Sequence, residues 1–200
     1  MISLPATMLA SMIVLGSALA QESNFTTPIV RALSYGGSGC PQGTLRYYIP
    51  VNSTRLLIAF GGYAASMGTG ISGTEMRKNC QVNIDLNHPP GLQYAVEGNT
   101  YSGYASLEDG VTAVHKSIYY FSGSTAQSAT QSNFTGPSTT PYTITDTVGE
   151  DKIWSKCGQA DMFNVNNQVR MSRASNSTGS GTLFESGLLE ISLVWRTCAV

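Results

Sequence analysis

Residues Gln81–Asn87 (QVNIDLN), His88–Gly91 (HPPG) and Leu92–Glu97 (LQYAVE) decide the fold class. In the first and last of these segments apolar and polar side chains alternate, which is the period of a strand with one buried face. The two prolines and the glycine between them favour a tight turn. The stretch therefore predicts two strands joined as a hairpin.

The same alternation recurs along most of the chain. It is clear at 189–196, and weaker runs lie at 29–35, 45–51, 55–60, 111–121, 142–148 and 163–171. No window of a dozen residues carries an apolar stripe at helical spacing, and the best case for a helical turn lies at 72–78. Residues 122–140, rich in Ser, Thr, Gln and Gly, fit a long loop or an edge hairpin. Short strands separated by polar turns predict an all-β fold, a single-domain antiparallel β-sandwich.

The first twenty residues have the composition of a secretory signal. Met8–Ala18 is an apolar run of signal-peptide length, and Ala18–Ala20 (ALA) is a small-x-small cleavage pattern, although no Lys or Arg precedes the run. We expect 1–20 to be a signal peptide, 21–27 a short N-terminal segment and 28–200 the sandwich domain. A membrane span needs about 20 apolar residues, and no later stretch has them. The sequence predicts a secreted, extracellular protein without a membrane span.

Four cysteines follow the predicted cleavage site: Cys40, Cys80, Cys157 and Cys198. An even count in an oxidising compartment predicts two disulfides. Of the three connectivities we favour Cys40–Cys80 and Cys157–Cys198, because each joins segments within one half of the chain. Each bond would stabilise the fold by about 4 kcal/mol through its loop of about 40 residues. A zinc site is disfavoured by the absence of C-x-x-C spacing, and we expect no metal and no cofactor.

Four Asn-x-Ser/Thr sequons are candidate N-glycosylation sites: Asn24, Asn52, Asn133 and Asn176. Asn52 and Asn176 fall in predicted turns, where an attached glycan can point to solvent. Charged residues make up 12% of the chain, and the net charge is −1. This sparse and balanced charge argues against a nucleic-acid partner, which would require clustered basic residues.

Motifs that carry catalytic chemistry are scarce. There is no Gly-x-Ser-x-Gly turn for a serine nucleophile, and the cysteines are assigned to disulfides. We interpret His88, which precedes two prolines, as a solvent-exposed turn residue and His115 as a packed or surface residue. The twelve Asp and Glu residues could include the facing carboxylates that a glycosidase needs, but the sequence does not pair them. A secreted glycan-acting hydrolase is therefore the alternative to a non-enzymatic protein, and a self-associating coat protein is a third possibility.

Uncharged polar residues line one face of each of two predicted strands. These residues are Asn79, Gln81, Asn83, Asp85 and Asn87 on the first strand, and Asn164, Asn166 and Gln168 on the second. Amide groups donate and accept hydrogen bonds, so such rows can match sugar hydroxyls; alternatively, they form the wet face of the sandwich or bond to one another. Tyr101 and Tyr104 lie in a Gly/Ser-rich segment and could expose rings for stacking on a sugar.

We take Asn83, Asp85, Tyr101 and Tyr104 as candidate ligand-binding residues. With no catalytic motif beside them, they favour a secreted, non-enzymatic binding module, or one associated with the cell wall. Its expected partner is a polysaccharide or an extracellular protein target.

Four clusters of residues carry a resemblance to a known family. They are Tyr35–Gly43 (YGGSGCPQG), Arg77–Gln81 (RKNCQ), Trp154–Gly158 (WSKCG) followed by Asn164–Gln168 (NVNNQ), and Trp195–Cys198 (WRTC). Together they resemble the domain of unknown function 4360, a group of small secreted proteins found mostly in filamentous fungi and in some bacteria. The segment Gly61–Tyr63 (GGY) departs from the pattern that we expect after Phe60. The resemblance, which covers about 28–198, implies a secreted β-rich protein with paired cysteines and implies no reaction.

Overall fold

The computed structural model describes residues 28–51, 53–61 and 63–198, and most of them lie in strands. The strands are β1 (Ile29–Gly36), β2 (Arg46–Tyr48), β3 (Arg55–Ala59), β4 (Tyr63–Met67), β5 (Arg77–Asn87), β6 (Leu92–Leu107), β7 (Val111–Phe121), β8 (Gln127–Thr135), β9 (Ser138–Thr147), β10 (Asp161–Arg173) and β11 (Gly181–Thr197). A single 3₁₀ turn, Gly73–Met76, lies between β4 and β5 in this part of the chain. It falls within the segment 72–78 that the sequence favours for a helical turn.

The strands form two antiparallel sheets. The five-stranded sheet has the order β1-β5-β10-β7-β8, and the six-stranded sheet has the order β2-β3-β11-β6-β9, with β4 also paired to β11. The predicted all-β antiparallel sandwich is confirmed.

The core lies between the two sheets and is built from the inward half of each alternating strand. Val82, Ile84 and Leu86 of β5 are fully buried, as are Leu189 and Ile191 of β11. Fully burying one such side chain stabilises the fold by about 1.5–3 kcal/mol. The predicted buried faces of these two strands are therefore confirmed.

The turn at His88–Gly91 does not close a hairpin, and that prediction was wrong. β5 pairs with β1 and β10, whereas β6 pairs with β9 and β11. The turn therefore carries the chain from one sheet to the other. Turn residues specify a reversal of chain direction, whereas the strand that each arm pairs with is decided by the whole sheet.

His88 is buried, so its interpretation as an exposed turn residue was also wrong. It is 5% exposed, and its ring packs against Tyr94 and Trp195 at centroid distances of 5.2 and 6.0 Å. Its Nε2 lies 3.2 Å from the Lys156 carbonyl oxygen. A turn that crosses between the sheets covers the end of the core, and the side chain at its start packs there.

Residues 122–140 form neither a long loop nor a hairpin. β8 is an edge strand of the five-stranded sheet and β9 is an edge strand of the six-stranded sheet, so consecutive strands again lie in different sheets. Polar edge strands oppose pairing with other chains, which fits the composition of this segment. β4 has no counterpart among the sequence predictions.

Two disulfides tie loops to the sheets. Cys40–Cys80 joins the segment after β1 to β5, and Cys157–Cys198 joins the segment before β10 to the end of β11. This is the pairing that the sequence favours. Within the described ranges no helix is long and apolar enough to cross a bilayer. The predicted signal peptide, the segment 21–27 and the sequons Asn24 and Asn52 lie outside these ranges.

Candidate functional site

The two amide rows meet on the outer face of the five-stranded sheet. The β5–β10 pairing places Asn83 opposite Asn164, and Gln81 opposite Asn166. Asn166 Nδ2 donates to Gln81 Oε1 at 2.9 Å, and Gln81 Nε2 donates to Asn83 Oδ1 at 3.2 Å. Asn83 Nδ2 in turn donates to Ser34 Oγ at 3.2 Å. The amides bond to one another, as the alternative interpretation of these rows expects.

Asp85 is also occupied. Its Oδ1 accepts from Arg31 Nη2 at 2.8 Å in an ion pair that bridges β1 and β5. An exposed pair of this kind contributes at most about 1 kcal/mol to stability. Asn83 and Asp85 therefore already have partners within the sheet.

Tyr101 is buried, and the expectation that it exposes a ring for stacking was wrong. It is 1% exposed, its ring stacks on His115 at a centroid distance of 3.5 Å, and its hydroxyl donates to Asp146 Oδ2 at 3.2 Å. Tyr104 lies three positions along the same strand, points to the opposite face and is 42% exposed. Of the two tyrosines, Tyr104 alone can meet a ligand.

The four predicted ligand-binding residues do not form one site. Asn83 and Asp85 lie on the outer face of the five-stranded sheet, Tyr104 lies on the outer face of the six-stranded sheet, and Tyr101 lies between the sheets. The sequence gives the face of a strand but not the sheet to which that strand belongs. Tyr104 consequently has different neighbours from those that we expected.

The neighbour of Tyr104 is a second exposed aromatic residue. In the β6–β11 pairing Phe184 lies directly opposite Tyr104, and it is 40% exposed. Pro141 of β9 lies opposite Tyr104 on its other side, and Ala64 of β4 lies opposite Phe184. We call Tyr104 and Phe184 the aromatic platform. If the alternation at 189–196 is extended back along the chain, Phe184 falls on the outward face together with Thr182 and Ser186. The sequence could therefore have identified Phe184 as an exposed aromatic residue.

A shallow cavity of about 450 Å³ adjoins the aromatic platform. Ser66, Thr182 and Ser106 line it and lie side by side in the β4–β11–β6 register, one outward position beyond the platform. Ser66 Oγ and Thr182 Oγ1 share one hydrogen bond of 3.1 Å. Each hydroxyl therefore keeps further capacity to donate or accept. We call this feature the hydroxyl cavity.

Glu108 is the one carboxylate in the lining of the hydroxyl cavity as the structure describes it. Its Oε2 accepts from the Ser180 backbone N–H at 2.7 Å. Elsewhere, five carboxylates each pair with a Lys or Arg: Asp85, Glu190, Glu75, Glu97 and Asp161. Among residues whose placement is described, no group of three His, Cys, Asp or Glu side chains converges as a metal site would require.

A buried polar cluster occupies the core behind the aromatic platform. His115 and Glu185 are both 0% exposed, and His115 Nε2 lies 3.3 Å from Glu185 Oε2. Asn167 Nδ2 donates to Glu185 Oε1 at 3.4 Å, and the Tyr63 hydroxyl donates to Asn167 Oδ1. We call these four residues the interior polar cluster. Because its carboxylate and imidazole are fully buried, they cannot contact a substrate.

Sequence reasoning did not single out Glu185. Glu185 lies two positions after Leu183, so it shares the inward face of an alternating strand with that leucine. A carboxylate at an inward position requires a buried partner, and this placement could have marked Glu185 as unusual.

Burial raises the pKa of five tyrosines above its ordinary value. They are Tyr63, Tyr94, Tyr101, Tyr119 and Tyr142. In each case the largest cause is desolvation of the phenolate, which costs free energy in an apolar environment. For Tyr63 the charge of Glu185 raises the pKa further. We call this set the interior tyrosines.

The two sequons in the described ranges are both exposed. Asn133 lies on edge strand β8, and Asn176 lies in the turn between β10 and β11, where the Ser177 N–H donates to the Ala174 carbonyl. Their glycosylation remains a prediction.

The model of a family described as a domain of unknown function (DUF4360) matches residues 27–198. The chain belongs to this family. A relative from Arthroderma benhamiae (strain ATCC MYA-4681 / CBS 112371), named an uncharacterized secreted protein, is 41% identical over 140 residues. The match covers 70% of this chain and 57% of the relative, so the chain spans less than two thirds of the relative's length. The family resemblance inferred from the sequence is confirmed.

Two solved structures show a remote likeness to the fold. TmCBM61 in complex with β-1,4-galactotriose has a TM-score of 0.28 and 10% identity, over 84% of this chain and 90% of that chain. The enzymatically active domain of bacteriophage CBA120 tailspike protein 4 has a TM-score of 0.24 and 12% identity, over 84% of this chain and 19% of that chain. At these TM-scores neither likeness bears on function.

Proposed function

We propose that this DUF4360 protein is a secreted, non-enzymatic protein that binds a polysaccharide on the outer face of its six-stranded sheet. The aromatic platform stacks against the apolar face of one sugar ring, and the hydroxyl cavity hydrogen-bonds the next. The observation that carries the proposal is the cross-strand pair of Tyr104 and Phe184, both exposed, beside a cavity lined by hydroxyls.

The pairing of β6 with β11 holds the two rings of the aromatic platform side by side. An aromatic side chain has two rotatable side-chain torsions, so a ring on a strand loses little conformational entropy when a ligand covers it. The two rings come from adjacent paired strands, which fixes their spacing before binding. Binding costs less when the contact groups are already ordered. The flanking hydroxyls of Ser66, Ser106 and Thr182 accept and donate, as sugar hydroxyls do.

Secretion is supported by three features that do not depend on the site. The first twenty residues have the pattern of a signal peptide. The two disulfides are typical of an oxidising compartment. The relative that shares 41% identity is named a secreted protein. An extracellular polysaccharide is therefore a ligand that the protein would meet.

A hydrolase is the less favoured function. A glycosidase needs two carboxyl groups, about 5 Å apart or about 6.5–9.5 Å apart, on opposite sides of the scissile bond. Glu108 is the one carboxylate that lines the hydroxyl cavity as described, and Asp109 lines a separate surface cavity at the turn that holds Asn176. Glu185 is 0% exposed, so no sugar can reach its carboxylate.

The test is retention of the purified protein on insoluble polysaccharides, with chitin and β-glucan as the first probes, together with a soluble glycan array. We expect Tyr104→Ala and Phe184→Ala each to weaken binding at least about tenfold, or about 1.4 kcal/mol. Tyr48→Ala is the matched control, because Tyr48 is 60% exposed on a different strand. The proposal is wrong if no polysaccharide retains the wild-type protein, or if the two platform variants bind as the control does.

A further inference from the structure

Three basic side chains gather in a groove on the outer face of the other, five-stranded sheet. Arg77, Lys116 and Arg170 line a cavity of about 250 Å³ together with Gln131 and Gln168. We call these five residues the basic groove. It lies on the opposite side of the sandwich from the aromatic platform.

The strand register brings the three cations together. Arg170 of β10 lies opposite Arg77 of β5 and opposite Val114 of β7. Two positions along, Gln168 lies opposite Lys116. Like charges directly opposite each other in an antiparallel pair destabilise the sheet. The Arg77–Arg170 pair therefore opposes folding unless an anion compensates it.

No carboxylate in the described part of the chain forms an ion pair with Arg77 or Arg170. Ion pairs form at five other Lys or Arg residues, and none of them involves a cation of the basic groove. Arg77 Nη2 donates to Gln168 Oε1 at 3.1 Å, so the partner of its guanidinium there is a neutral amide. A concave surface lined by charge of one sign attracts counter-ions. The basic groove is thus a positive site in a protein whose net charge is −1.

We propose that the basic groove binds an anionic polysaccharide. Arg77, Lys116 and Arg170 hold carboxylate or sulfate groups, and the amides of Gln131 and Gln168 hold sugar hydroxyls beside them. Charge-assisted hydrogen bonds of this kind are about twice as strong as neutral ones.

A nucleic acid is the less suitable polyanion. The residues lining the basic groove include no aromatic ring on which a base could stack.

Asn133 stands at the rim of the basic groove. It lies opposite Val114 in the β7–β8 pairing, and its Oδ1 accepts from Gln131 Nε2 at 3.2 Å. A glycan attached to Asn133 would cover part of the groove. Binding is therefore measured on Asn133→Gln protein, which cannot be modified at this position.

The test compares two double variants that lose the same charge. Lys116→Gln/Arg170→Gln changes the basic groove, and Arg46→Gln/Arg173→Gln removes two cations that lie outside it and form no ion pair among the described residues. Binding to polygalacturonate and to dextran sulfate is measured at an ionic strength of about 10 mM, where the Debye length is about 30 Å. We expect the groove variant to bind at least about tenfold more weakly and the control to change less than about twofold.

Three further probes decide the ligand class. Neutral dextran should show no difference between the two double variants. The proposal is overturned if neither anionic polymer binds or if both double variants weaken equally. It is also overturned if a duplex oligonucleotide binds more tightly than both polymers. If inorganic sulfate competes as strongly as the polymer does at equal sulfate concentration, the basic groove binds an adventitious ion only.

Discussion

Replacing Glu185 with alanine should be among the most destabilising single changes in this protein. Its carboxylate is 0% exposed and contacts His115 Nε2 at 3.3 Å and Asn167 Nδ2 at 3.4 Å. Removing the carboxylate leaves the buried Asn167 amide without its acceptor and the buried His115 imidazole without a polar neighbour. Each such loss costs about 1–3 kcal/mol, so the change should cost about 2–6 kcal/mol. Such a loss is a large part of the total stability of about 5–15 kcal/mol that is usual for a domain.

A double-mutant cycle separates the contact from the loss of side-chain volume. Glu185→Met and His115→Leu are made singly and together. Each single change leaves one buried polar group without its partner, whereas the double change removes both members of the pair. We expect the double variant to be more stable than the sum of the single effects predicts, by about 1–3 kcal/mol.

The assay is urea unfolding at neutral pH with both disulfides intact, followed by tryptophan fluorescence, comparing midpoints at unchanged slope. Glu190→Ala is the matched control on the same strand. Glu190 pairs with Arg55 at 3.2 Å, and the arginine side chain is 60% exposed, so its loss should cost less than about 1 kcal/mol. The reasoning is refuted if Glu185→Ala costs no more than the control, or if the two single effects add within about 0.5 kcal/mol.

Three further predictions concern stability. The interior tyrosines hold their protons above pH 10 in the folded state, so stability should fall above that pH by up to about 1.4 kcal/mol per pH unit for each fully buried one. Absorbance at 295 nm should report their ionisation only together with unfolding, and ionisation of more than five of the ten tyrosines in the folded protein would contradict this. Cys157→Ser/Cys198→Ser should lower the unfolding free energy by about 4 kcal/mol through loss of a loop closure; an unchanged urea midpoint would exclude that contribution. Gly103→Ala should destabilise by about 1–3 kcal/mol or more, because a Cβ there would overlap the Phe184 carbonyl oxygen and the Tyr142 hydroxyl. Gly149→Ala, which meets open space, is the control, and equal thermal midpoints for the two variants would refute the steric argument.

Strands β5 and β6 show what the alternation of apolar and polar residues could and could not predict. On β5 the alternation is unbroken, and Val82 and Ile84 are buried as expected. On β6 the odd spacing of Tyr101 and Tyr104 places them on opposite faces, but the polar residues and glycines around them show no apolar face that would tell which tyrosine is buried. An alternating pattern shows which face of a strand is buried only where apolar and polar residues alternate without interruption. The site predicted from the sequence consequently shares Tyr104 with the proposed aromatic platform and lacks its partner Phe184.

Local sequence by itself determined most of the strands and the polar composition of the edges, and it favoured the two cysteine pairs, because each depends on residues close together in one half of the chain. The tertiary structure alone decided which strands share a sheet, since a turn such as His88–Gly91 reverses the chain without selecting a hydrogen-bonding partner. It therefore also decided every cluster drawn from distant strands. Tyr104 meets Phe184 and Arg77 meets Arg170 only through the register of paired strands, whereas His115 of β7 meets Glu185 of β11 across the two packed sheets. Register is set by the packing of all the buried faces at once.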